Sequence, residues 1–180
     1  MSRKMKAILP LALLALVVMF PSGSQAQTNS NIATVTLTAG IAPFISVSVN
    51  TASVNFTLVP GTGPTGGSNS VIVTTNWGLA GAANMALWGT FASSASALTN
   101  GTDNIPTSAV AATVNGGGGS AFTGTGPFGG ASAGKQIHAG AVATSGTWTD
   151  TLDFTIDLTP FSSLSSGVYT GTLNLQAQAI

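Results

Sequence analysis

Apolar and polar residues alternate along much of this chain. Ala33, Val35, Leu37, Ala39 and Ile41 are interleaved with Thr34, Thr36, Thr38 and Gly40. After Pro43, Ile45, Val47 and Val49 alternate with Ser46 and Ser48, and Val54, Phe56 and Leu58 repeat the pattern up to Pro60. A period of two puts one set of side chains on each face of a strand, so each stretch predicts a half-buried strand. The loop "GTGPTGGSNS" then leads into a strand beginning at Val71, and "ANMALWGTF" places Met85, Leu87, Gly89 and Phe91 on one side of another.

Further along, Trp148, Leu152, Phe154, Ile156 and Leu158 point one way, and Thr149, Thr151, Asp153, Thr155 and Asp157 the other. Asp150 falls outside that pattern, which predicts a strand starting just after it. A last strand is predicted from Tyr169, with Gly171, Leu173, Leu175, Ala177 and Ala179 on one face and Thr170, Thr172, Asn174, Gln176 and Gln178 on the other. Residues 93–145 carry "NGGGGS" and "GTGPFGGASAG", which is loop composition and predicts irregular chain with at most a couple of weak strands. No stretch has helical periodicity, and no repeat of fixed period emerges. The expected fold is all-β, a two-sheet antiparallel sandwich of immunoglobulin-like type.

Composition changes this picture at the amino terminus. Arg3, Lys4 and Lys6 precede an apolar run from Ala7 to Phe20, and Ser24-Gln25-Ala26 supplies small residues for cleavage. Residues 1–26 therefore read as a secretory signal peptide, and residues 27–180 as one mature domain without a membrane span. Removing the leader leaves Lys135 against Asp103, Asp150, Asp153 and Asp157, a net charge of −3. One lysine cannot neutralise a run of phosphates, which excludes nucleic acid as a partner. The chain has no cysteine, so no disulfide supports the fold and packing alone must do so.

Candidate chemistry is sparse, and the reading is of a protein that is not an enzyme and takes no cofactor or metal. His138 is the only histidine, and its sequence neighbours Gln136, Ile137 and Ala139 offer it no acid. Gly130-Ala131-Ser132-Ala133-Gly134 matches the G-x-S-x-G of hydrolases, but glycine loops flank it where a strand and a helix are needed. Gly129 to Lys135 imitates a phosphate loop, with Gln136 standing where Ser or Thr must meet magnesium. Asp153 and Asp157 share a strand face roughly 13 Å apart, too far to chelate one ion. Trp77, Trp88 and Trp148 suit either a core or a sugar-stacking platform.

The turn into the last strand carries more information. Leu164, Gly167 and Tyr169 match a tyrosine corner, in which the phenol hydroxyl reaches back to the upstream backbone. The pattern L-x-x-G-x-Y-x-G-x-L, from Leu164 to Leu173, together with the secretory leader and the Thr/Ser/Gly-rich, charge-poor composition, resembles the spore coat protein U-like and pilin-like secreted domains of bacteria. That resemblance implies an incomplete immunoglobulin-like sandwich, a periplasmic chaperone, and completion of each subunit by a neighbour's amino-terminal segment. The chain departs from the pilin pattern in lacking a cysteine pair and a penultimate tyrosine.

Two edges follow as candidates. The strand bearing Tyr169, Leu173, Leu175 and Ala177 is expected to lie open, since no lysine follows Thr155 and no proline follows Pro160 to blunt it. Ala33, Val35, Leu37, Ala39 and Ile41 are the candidate segment for strand addition, either to a neighbour or as the first strand of their own sheet. The expected function is a bacterial secreted, periplasmic or cell-surface structural subunit of a coat, pilus or similar assembly, associating with itself or with other secreted β-subunits. The alternative is a stand-alone adhesion or glycan-binding module. Tryptophan burial separates them: two indoles exposed on one face favour binding, and full burial of all three favours assembly.

Overall fold

The computed structural model describes residues 30–180. The leader assigned to residues 1–26 lies outside them. Residues 30–43 form no strand, and Val35 and Leu37 are exposed. The alternation from Ala33 to Ile41 is thus real in sequence but has no strand partner among the described residues.

Gly40–Ile180 forms one compact unit. Its strands are β1 (Phe44–Val49), β2 (Thr65–Gly66), β3 (Val71–Gly78), β4 (Ala83–Thr90), β5 (Leu98–Thr99), β6 (Asn104–Ile105), β7 (Val110–Val114), β8 (Ser120–Ala121), β9 (Gly134–Val142), β10 (Ser145–Ile156) and β11 (Asn174–Ala179). A larger sheet runs β1-β3-β10-β7-β8, with β2 also paired to β10, and a smaller one runs β11-β4-β9. All pairings are antiparallel. The protein is an all-β, two-sheet sandwich, consistent with the broad immunoglobulin-like class, and it has no disulfide.

β10 is the organising strand. It pairs with β3 on one side and β7 on the other, and its inner residues Leu152, Phe154 and Ile156 are buried while Thr151, Asp153 and Thr155 between them are only half-buried. Val71 and Val73 from β3, Leu87 from β4 and Ile137 from β9 meet them in the core. Phe122, fully buried, packs edge-on to Phe91 at 5.2 Å and stacks with Phe154 at 6.2 Å, joining a loop, the end of β4 and β10. These rings supply the bulk that a chain poor in long aliphatics otherwise lacks.

Several elements differ from the pattern-based expectation. Asp150 lies inside β10 and is 1% exposed, in phase with Leu152, so it faces inward instead of preceding the strand. Residues 93–145 hold β5 to β9 and a short 3-10 turn, Thr107–Ala109, and are more regular than their glycines suggest. Val54, Phe56 and Leu58 pack half-buried on the core but form no strand. β2 takes the hydrogen bonds of Thr155 and Ile156 on β10 at that level, leaving the 54–58 segment one row further out. There it keeps a tie between the Ser68 N–H and the Asn55 carbonyl.

The last strand also begins later than expected. Thr170 bridges to Thr99, and Gly171 presses against the Ala97 carbonyl, where a Cβ would collide with the oxygen. The chain is therefore drawn away from β4 until Asn174. Truncating Phe122 to Ala should lower the unfolding free energy by about 3–5 kcal/mol, because it empties the one ring touching both other aromatics; urea unfolding of residues 27–180 measures this.

Candidate functional site

The two edges of the sandwich flanks are unequal. On one flank the chain crosses from β9 to β10 and so links the sheets covalently. A polar cluster lies between those strands. The Nδ1–H of His138 donates to Asp150, with both carboxyl oxygens at 3.0 and 3.1 Å. Asn115, at the end of β7 with φ of 52°, donates its Nδ2–H to the same carboxyl at 2.8 Å and accepts from the Thr151 N–H. The His138 ring stacks on Trp148 at 4.0 Å, and Trp148 in turn meets Trp77 edge-on at 5.2 Å. A buried carboxyl is tolerated only when its oxygens are bonded, and here His138 on β9 and Asn115 just past β7 supply the donors.

On the other flank, β1 pairs only with β3, and β11 only with β4. Between the chain just after β1 and the chain just before β11 lies a groove of about 450 Å³. Val54 and Phe56 form one wall, Leu173 and Leu175 the other, and Phe154 and Ile156 the floor. Both walls end in backbone that lacks a continuous ladder: residues 50–58 on one side, and 168–173, bridged once at Thr170, on the other. Val168 is 81% exposed. The groove is thus an apolar trough whose rims are irregular backbone, tied to the rest of the fold at Asn50, Asn55 and Thr170.

The sequence-derived residues fall around this groove as follows. Leu173 and Leu175 line it, Tyr169 stands at its end, and Ala177 continues the half-buried face of β11. The Tyr169 hydroxyl donates to the Ser165 carbonyl at 3.0 Å. Leu164 packs half-buried against the core, and Gly167 approaches the side chain of Asn100. Asp103 holds this corner together. Its Oδ2 accepts from the Ser165 N–H at 2.8 Å and from the Ser165 hydroxyl, with the Tyr169 hydroxyl at 3.4 Å. Of the expected addition segment, Ile41 is 93% exposed and lies three residues before the strand entry at Phe44.

The decoys have structural explanations. Gly134 opens β9, with no helix, so neither a nucleophile elbow nor a phosphate loop exists there. Ser132 has φ of 55° and is exposed, roughly 13 Å of strand from His138 even counting only from Gly134. Gly126, Gly129 and Gly130 are glycines because the loop lies against the Trp88 ring, Thr90 and the Ala92 carbonyl at distances that admit no Cβ. Among the described residues no three His, Cys, Asp or Glu side chains gather closely enough to hold a metal ion. No helix among them is long and apolar enough to cross a membrane.

Sequence reasoning missed the His138–Asp150 pair, since the partners lie on different strands. The one available signal was Asp150 itself, a lone acid in phase with an apolar face. The tryptophans meet neither outcome set for them: Trp77 is 6% exposed, while Trp88 and Trp148 are half-buried and lie on different faces. No family model matches the chain, and no curated protein and no solved structure matches it either.

Two measurements follow. Replacing His138 by Ala strips a donor from the buried carboxyl and should cost about 1–3 kcal/mol in urea unfolding, several times more than replacing exposed Gln136 by Ala. Hydrogen bonds from the Ser165 side chain and then its backbone N–H hold Asp103 below its ordinary value of 3.8, and those of Thr159 do the same for Asp157. With the folded values depressed, their contribution to stability is complete above the ordinary carboxylate value and disappears as pH falls through the folded one. Acid unfolding followed by circular dichroism should thus show a shallower loss of stability below about pH 4 for Asp103→Asn than for the parent.

Proposed function

We propose that this protein is an exported structural subunit of a bacterial surface coat, pilus or related extracellular assembly, and that it associates by β-strand addition. The groove between the β1 and β11 flanks is the observation that carries the reading. Its trough is apolar and its rims are peptide groups, so an incoming strand would gain main-chain hydrogen bonds at the rims and bury alternate side chains below. Residues 33–41 have the matching chemistry. Their apolar side chains recur every second position, and Ile32, Val35, Leu37 and Ile41 are 82–93% exposed.

The likeness of the Leu164-to-Leu173 corner to spore coat protein U-like and pilin-like domains supports the same reading, as does a leader at residues 1–26. A two-sheet sandwich without a disulfide suits a passive building unit. The donor in this proposal is a second copy or another secreted β-subunit, and a periplasmic chaperone is the proposed escort during export.

Size-exclusion chromatography of residues 27–180 tests the proposal. Self-association should fall to monomer when residues 27–41 are deleted. The double substitution Val35→Asp and Leu37→Asp should do the same without moving the urea midpoint, because both side chains are exposed. A chain that is monomeric at every concentration would overturn self-assembly. A lowered unfolding midpoint in the double variant would instead assign the segment to its own domain's core.

A further inference from the structure

We propose that the outer face of the smaller sheet is a binding site for an uncharged glycan, centred on Trp88. The register sets Gln176 of β11, Trp88 of β4 and Gln136 of β9 side by side in one row. Directly opposed residues in such a row have Cβ atoms about 5 Å apart, so both amides reach the indole. Asn174 and Gln178 extend the amide column along β11 on the same face, and all four amide residues are exposed. Every glutamine among the described residues is on this face.

The polar groups here are unspent. The Trp77 N–H is satisfied by the Ala143 carbonyl at 3.0 Å. The Trp88 N–H and the side chains of Gln136, Asn174, Gln176 and Gln178 make no hydrogen bond with any described residue. Glycines at 124, 126 and 134 crowd the benzo end of the Trp88 ring, which fixes the indole in place. The residue as a whole is half-buried, not enclosed. Lys135 belongs to a different environment, since it opposes the buried Gly89 and donates to the Ser120 hydroxyl.

The ligand class follows from that chemistry. A sugar hydroxyl both donates and accepts, and an amide side chain does both in return. An indole presents apolar surface to a pyranose C–H face together with a donor at its edge. The row of Gln136, Trp88 and Gln176 carries no charged side chain to draw an anion or a cation. A face of this kind suits neutral saccharide, and it is separate from the groove, so it survives or fails independently of how subunits associate.

The test is a nuclear magnetic resonance titration of residues 27–180 with cellohexaose, maltohexaose and mannohexaose, set beside sialyllactose and a heparin hexasaccharide. At least one neutral hexaose should shift the Trp88 indole and the Gln136 and Gln176 side-chain amide signals at millimolar concentration. Gln136→Ala and Gln176→Ala should each weaken that binding roughly fivefold, with the urea midpoint unchanged. The proposal is overturned if no neutral sugar moves these signals, if only the charged sugars do, or if both variants bind like the parent. It is also overturned if the same signals move with protein concentration alone, which would make the amide column a contact between copies.

Discussion

Everything in this molecule depends on burying one face of β10 between two sheets. With no cysteine and no metal cluster among its described residues, the fold has only apolar burial and hydrogen bonding to set against chain entropy. β10 is the longest strand, lies within the larger sheet, and carries Leu152, Phe154 and Ile156 into the core. The aromatic group formed with Phe91 and Phe122 adds ring bulk to that core.

The same strand explains why the flanks differ. Where the chain passes from β9 into β10, the sheets are joined, and Asp150 draws His138 and Asn115 onto it from neighbouring strands. On the far flank, β1 and β11 are each paired on one side only, beside an apolar trough. The two flanks of the sandwich are therefore built differently, one around a buried polar cluster and the other around an apolar trough.

Much of the architecture was legible because period-two patterning survives wherever a strand has one wet and one dry face. β1, β4 and β10 follow from their alternation, β3 was marked by its start at Val71, and the Trp148-to-Leu158 face is buried much as its residues suggest. Three features were not legible. Asp150 reads as an exception because a one-dimensional pattern cannot display the donors that two other strands bring to it. The glycines at 126, 129 and 130 read as flexible loop, although each is there because a side chain or carbonyl lies too close for a Cβ. The stretch around Val54, Phe56 and Leu58 has strand-like alternation, yet β2 occupies the ladder position it would need. Of the candidate site, the residues of β11 were readable from their pattern, while the groove was not, since its opposite wall comes from a segment over a hundred positions earlier.

That long separation has a kinetic side. β11 pairs with β4, joining Ala179 to Met85, and the smaller sheet cannot form its full width until both are present. Contacts so distant in sequence close loops at high entropic cost and are made slowly. Through that interval β4 lacks a neighbour on its β11 side and the trough's aromatic floor faces water, so the half-built molecule is sticky for longer than the finished one. A cell that makes this protein therefore faces its greatest hazard of clumping before the last pairing is made.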